Sequence, residues 1–193
     1  ENSFRDVNIA FANELSMISD NLNIDVWELI KLANRHPRVN ILQPGPGVGG
    51  HCIAVDPWFI VSAAPDESKI IRTAREVNLS KTDWAVQQIL STVSARPDAT
   101  IACMGLSYKP DIDDLRESPA LAIYETLKAR HPGDVLAVEP HLASTETRPL
   151  VPIDDALHQA EVLVFLVSHK AFKGLSREQL QAQTVLDLCG VFQ

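Results

Sequence analysis

The 193-residue chain is 46% hydrophobic and carries a formal net charge of −8, enough apolar material for one large core or two small ones. That acidity argues against a nucleic-acid or anionic-membrane surface, and no apolar run approaches the roughly 20 residues of a membrane span. Three widely spaced cysteines, Cys52, Cys103 and Cys189, make neither a disulfide framework nor a metal-ligand cluster, so reduced thiols in a cytoplasmic setting and no metal are expected.

The opening residues, Glu1-Asn2-Ser3-Phe4-Arg5-Asp6, contain neither a basic n-region nor an apolar h-region and read as a start inside a longer protein. Phe4, Val7, Phe11, Leu15, Ile18 and Leu22 recur at three- and four-residue steps, which predicts one apolar face of a long helix. A shorter helix is predicted from Val26 to about Arg35, with Asp25 placed to cap it and Pro37 beyond its end. Residues 38–57 are dense in Gly and Pro and read as irregular. From about Lys69 a second long helix is expected, with Ile70, Ala74, Val77, Trp84, Ile89 and Val93 spaced as one stripe. Both long helices exceed what a small core needs, and pairing with a second copy is a natural use for them.

The pattern changes at Ala95-Arg96-Pro97-Asp98. Beyond it, strands are predicted over 100–106, 135–138, 162–167 and 185–188, alternating with helices over 119–129, 153–159 and 176–182. Continuous Val/Ile/Leu strands interleaved with helices imply a parallel sheet with right-handed crossovers, buried on both faces. The fold class is therefore α/β: an all-helical unit over residues 1–95, then a small Rossmann-like parallel-sheet unit over 96–193. Ligands on such sheets sit beyond the carboxyl ends of the strands.

Gly45-Pro46-Gly47-Val48-Gly49-Gly50 formally matches G-x-G-x-x-G. That pattern holds a pyrophosphate only between a strand and a helix N-terminus. Here a helix precedes it, so the dinucleotide reading is rejected. Glycines that let the backbone approach something bulky, and present the residues just after them, fit better. Those residues are His51 and Cys52, with Asp56 four positions beyond the thiol. Free cysteines are more often buried hydrophobes than nucleophiles, yet a loop between rigid elements is where functional side chains concentrate. His51 reads as an orienting or substrate-contacting imidazole rather than a base for the thiol. Asp56 suits either a helix cap or a water-positioning carboxylate.

The run from Gly45 to Pro57, with Glu1-Asn2-Ser3-Phe4-Arg5-Asp6, Asn34-Arg35-His36-Pro37-Arg38 and Arg72-Thr73-Ala74-Arg75-Glu76 in order around it, resembles the UDP-glucose/GDP-mannose dehydrogenase family. His51 and Val55-Asp56-Pro57 resemble its UDP-N-acetyl-D-mannosamine branch more than its UDP-glucose branch. The resemblance implies an NAD-dependent four-electron oxidation of a UDP-sugar, in which Cys52 carries the substrate as thiohemiacetal and then thioester. It further implies that Asp56 places the hydrolytic water, that Asn2 bonds the oxyanion or that water, and that Gly49 and His51 contact the sugar. A Lys one helical turn before Asn2 is also implied, ahead of residue 1.

In the α/β half, Lys109 and Arg116 bracket the loop after the first strand, and Ser118-Pro119 is a strong helix start. From the residues alone, a diphosphate site and a surface ion pair between Arg116 and Asp113, Asp114 or Glu117 are equally good readings. The resemblance implies that Lys109 contacts the UDP-sugar, that Arg116 reaches NAD, and that Arg38 crosses a homodimer interface to the partner's substrate. One departure stands out: Cys189 and Gln193 occupy positions around Gly190 where relatives are basic. His169 is left without a role. Two other readings are a non-catalytic nucleotide-sugar-binding fragment and a cysteine hydrolase built on Cys52 and His51.

Overall fold

The computed structural model describes residues 1–176 and 178–193. Four helices come first: α1 (Asn2–Asn21), α2 (Val26–Ala33), α3 (Asp56–Ala63) and α4 (Lys69–Thr92). After them come β1 (Ile101–Met104), α5 (Pro119–Arg130), β2 (Val135–Val138), α6 (Ile153–Gln159), β3 (Val162–Phe165), α7 (Lys170–Lys173) and β4 (Thr184–Asp187). The strands pair in the order β2-β1-β3-β4, every neighbour parallel. The predicted α/β class holds. No helix is long and apolar enough to cross a membrane among the described residues.

Caps act where the sequence placed them. Asp25 Oδ1 accepts from the N–H groups of Trp27 (2.8 Å) and Glu28 (3.2 Å). Ser118 Oγ accepts from Leu121 N–H at 3.3 Å, with Pro119 opening α5. Three elements depart from expectation. α3 begins inside the stretch expected to be irregular, because Pro57 fits the first turn of a helix. α7 is too short for periodicity to reveal. In place of a helix over 176–182, a 3₁₀ turn covers Glu178–Leu180; Arg177 lies outside the described residues.

Pleating sorts the sheet residues between two cores. Ile101, Cys103, Val162 and Val164 face Ile123 and Leu127 of α5, and with them Ala85, Val86, Ile89 and Val93 of α4. Ala102, Met104, Leu163 and Phe165 face Ala156 and Leu157 of α6 and Phe172 of α7. The last turns of α4 therefore belong to the core of the sheet, while its first half packs on α1.

The predicted apolar stripe of α1 does not face α4, and that of α4 divides, with Ala74, Ile89 and Val93 buried. Phe4, Phe11, Ile18 and Leu22 are exposed, as are Ile70 and Leu79 of α4. The buried side of α1 carries Asp6, Asn13, Ser16 and Ser19, opposite Arg75, Asn78 and Lys81. The Arg75 guanidinium donates to Asp6 Oδ1 at 2.7 Å. Asn78 Nδ2 donates to the same oxygen at 2.8 Å, and Lys81 Nζ to Ser16 Oγ at 2.8 Å. Periodicity locates an apolar face but not what covers it. Here hydrogen bonds pair most of the inner face, while Asp6 Oδ2, Ser19 Oγ and Arg75 Nε find no partner among the described residues.

Candidate active site

The glycine-rich loop from Gly45 to Cys52 links α2 to α3 and lies against the loop that leads from β1 to α5. A Cβ on Gly49 would overlap the Glu117 carbonyl oxygen and lie 2.8 Å from Pro119 Cδ. One on Gly50, where φ is +84°, would lie 2.7 Å from the Tyr108 ring. The bulky neighbour that requires glycine is thus Tyr108 with Pro119, and no strand precedes the run. Gly50 N–H donates to the Arg116 carbonyl at 3.0 Å, stitching the two loops together.

Just beyond this stitch Cys52 is exposed, its Sγ 3.9 Å from His51 Nδ1. Asp56 N–H donates to the Cys52 carbonyl at 2.8 Å, so thiol and carboxylate are one turn apart at the start of α3. Asp56 makes no capping bond. Its Oδ2 instead accepts from Asn2 Nδ2 at 2.5 Å, across 54 residues. Asn2, Cys52 and Asp56 are brought to one place, with His51 and Gly49 beside them. Burial pushes the Cys103 thiol up to about 12 and raises Cys189 well above the ordinary range.

Arg116 adopts the surface-pair geometry. Its guanidinium grips Asp114 Oδ2 at 2.6 Å while remaining 66% exposed. The Asp114 hydrogen bond, then the Asp114 charge and more weakly those of Tyr108 and Cys52, strengthen its hold on the proton.

Between α2 and the carboxyl ends of the sheet lies a cleft of about 1150 Å³. Trp27, Lys31 and Arg35 form one wall, Gln43 to Gly47 the floor, and Tyr108, Lys173 and Gly190 the far side. Cys189 and Gln193 line it too. Lys109 does not; its side chain is exposed, and its carbonyl accepts from Ser107 Oγ at 2.9 Å. Arg38 is exposed on the loop beyond α2. The cations that line the cleft, Lys31, Arg35 and Lys173, were not anticipated from sequence. The spacing of Lys31 and Arg35, one helical turn apart, was the available signal.

Sequence reasoning also missed Glu139, at the carboxyl end of β2. Its Oε2 accepts from Leu106 N–H (2.8 Å), Ser107 N–H (3.0 Å) and His169 Nε2 (3.1 Å), and its Oε1 from His141 N–H (3.1 Å). His169 Nδ1 accepts from Asp111 N–H at 2.9 Å, which leaves Nε2 to carry the proton toward Glu139. Burial raises the Glu139 carboxyl, yet the His169 hydrogen bond and the Leu106 and Ser107 amides outweigh it and hold it at about 2. This gives His169 a role: it ties the ends of β1, β2 and β3 together under the cleft. Asp111, His141 and His169 also gather within 4.8 Å, but both ring nitrogens of His169 are already engaged.

Comparison with known proteins places this geometry. Residues 1–80 match the central domain of the UDP-glucose/GDP-mannose dehydrogenase family, and residues 102–193 match its UDP binding domain. An NDP-N-acetyl-D-galactosaminuronic acid dehydrogenase of Ralstonia solanacearum is 55% identical over 196 residues, covering 100% of this chain and 46% of that protein. The UDP-N-acetyl-D-mannosamine dehydrogenase of Escherichia coli K12 is 53% identical over 206 residues, covering 100% of this chain and 49% of that one. The solved UDP-N-acetyl-mannosamine dehydrogenase of Staphylococcus aureus superposes with a TM-score of 0.86 at 43% identity, over 99% of this chain and 46% of that one. The chain spans about half the length of the curated relatives it matches. It belongs to the UDP-glucose/GDP-mannose dehydrogenase family.

Proposed function

We propose that this chain supplies the nucleotide-sugar site and the covalent thiol of an NAD-dependent nucleotide-sugar 6-dehydrogenase acting on UDP-N-acetyl-D-mannosamine. The observation that carries the reading is the Asn2–Asp56 hydrogen bond, 2.5 Å long, one helical turn from the exposed Cys52. Beside it stand the start of α3 and the Arg116 segment, whose carbonyl accepts from Gly50 N–H.

Two NAD molecules, bound in turn, would each accept one hydride. Arg116, largely exposed and oriented by Asp114, suits one contact with its phosphates. After the C6 alcohol has lost a hydride and a proton, the Cys52 sulfur bonds to the aldehyde carbon and gives a thiohemiacetal. Loss of a second hydride from C6, with the thiohemiacetal hydroxyl proton, leaves a thioester. Water held by Asp56 and Asn2 then attacks C6, the C–S bond breaks, and the uronate leaves with the thiol restored. Covalent capture retains the aldehyde between the two oxidations.

The cleft fits the nucleotide: Lys31, Arg35 and Lys173 supply charge for a diphosphate, and Trp27 and Tyr108 supply flat apolar surface. Lys109, Gly49 and His51, which do not line the cleft, are assigned to the sugar. A homodimer through the helical layer would cover Phe4, Phe11 and Ile18 and bring Arg38 toward the partner's cleft. In the whole protein that carries this chain, about two NADH should form per UDP-N-acetylmannosamine, and Cys52→Ser should stop turnover while UDP still binds. An unchanged rate in that variant sinks the assignment. Turnover confined to UDP-glucose or UDP-N-acetylgalactosamine would move the substrate within the same chemistry.

A further inference from the structure

The loop that presents Cys52 is held at its entry by two side chains outside the site. Gly45 N–H donates to Asn13 Oδ1 at 2.9 Å, and Thr82 Oγ1 donates to the Pro46 carbonyl at 3.0 Å. One grip comes from α1 and the other from α4. Asn13 is itself fixed: its Nδ2 donates to Asn78 Oδ1 at 2.9 Å, and Asn78 Nδ2 donates to Asp6 Oδ1 at 2.8 Å. Asn13, Asn78 and Asp6 are each at most 1% exposed. The same Thr82 oxygen would lie 2.7 Å from a Cβ on Gly47.

A polar relay of this kind is weak evidence for stability, because apolar side chains of similar volume often serve as well in a buried seam. Directional bonds do what apolar packing cannot: they fix where a backbone runs. The loop needs that, since glycines at 45, 47, 49 and 50 impose little path of their own. Its far end is tied at Gly50 to the Arg116 carbonyl, so both ends of the segment before Cys52 are secured. We infer that Asn13 and Thr82 are positioning residues, setting through Gly45 and Pro46 the path of the loop that carries the thiol. This rests on the assignment of Cys52 above.

Thr82 permits a clean test. Thr82→Val keeps the shape without the hydroxyl, and Thr82→Ser keeps the hydroxyl. By hydrogen exchange on this chain, the Gly45 amide should be protected like a helical amide. In Thr82→Val, exchange across residues 45–51 should rise about three- to tenfold, the loss expected for one hydrogen bond, with α1 and α4 unchanged. In the whole protein, kcat should fall by a similar factor with KM for the UDP-sugar within about twofold, and Thr82→Ser should restore both readouts. An unprotected Gly45 amide, equal losses in Val and Ser, or exchange rising throughout α1 and α4 would each overturn the inference. A kcat unmoved while the loop loosens would overturn it as well. Exchange reports the loop's path whether or not Cys52 is the nucleophile, so turnover surviving Cys52→Ser would refute only the earlier reading.

Discussion

Replacing Glu139 with Gln probes the charge that ties the strand ends together. The Glu139 side chain is 0% exposed, and its carboxylate accepts four bonds, from Leu106, Ser107, His141 and His169. The fall from 4.5 to about 2 corresponds to about 3 kcal/mol of preference for the ionised form in the folded protein, at 1.36 kcal/mol per pKa unit. Gln has the right shape, but its NH₂ must face a donor. Glu139→Gln should therefore lose about 3 kcal/mol at pH 7, a fall in Tm of roughly 6–12 °C for a chain of this size. Because the folded pKa lies below the unfolded one, the contribution is complete above about 4.5 and disappears as pH falls toward 2. The stability gap between wild type and variant should thus be widest at neutral pH and narrow through that window. Urea unfolding at several pH values between 7 and 3 measures it. A gap below about 1 kcal/mol at pH 7, or one that does not change on acidification, refutes the reasoning.

Lys81, 3% exposed, is pulled down to about 7 by burial, with Asp20 resisting. Its folded pKa lies below the unfolded 10.5, so wild-type stability should rise as pH climbs from about 7 toward 10.5. Lys81→Met should remove that rise and stabilise the protein near neutrality, with a ceiling of about 5 kcal/mol below pH 7, less the lost Ser16 bond; urea midpoints at pH 7 and 9 decide, and a flat wild-type profile counts against it. Gly190 has φ +70°, and an added Cβ would lie 2.8 Å from the Trp27 ring. Gly190→Ala should cost about 2 kcal/mol or more from left-handed backbone strain and overlap, with a shift in Trp27 fluorescence; an unaltered denaturation midpoint would show that α2 yields freely.

The sheet was legible because a strand buried on both faces must be apolar throughout. The runs at 100–106, 135–138, 162–167 and 185–188 all contain or overlap the observed strands. Their ends were not legible, since Gly105 to Ser107 and Leu166 to Val167 remain apolar or small while leaving the ladder to bond elsewhere. The Cys52 loop was legible as a motif, and the meeting of Asn2 with Asp56 came from the family's pattern rather than from spacing. Glu139 escaped notice because an acid at a strand end looks solvated until residues 30 positions away, such as His169, are folded onto it. The inner face of α1 escaped for the opposite reason: its polar residues looked like a solvent face, and only the register with α4 pairs them.

The course of α4 has a mechanical consequence. Its early turns are bolted to α1 and its late turns are embedded beside the sheet, so this one rod splints the two halves of the chain. Bending at the Ala95-Arg96-Pro97-Asp98 stretch would require drawing Ile89 and Val93 out of a packed interior. The helical layer and the sheet are therefore braced against hinge-bending by a single continuous helix.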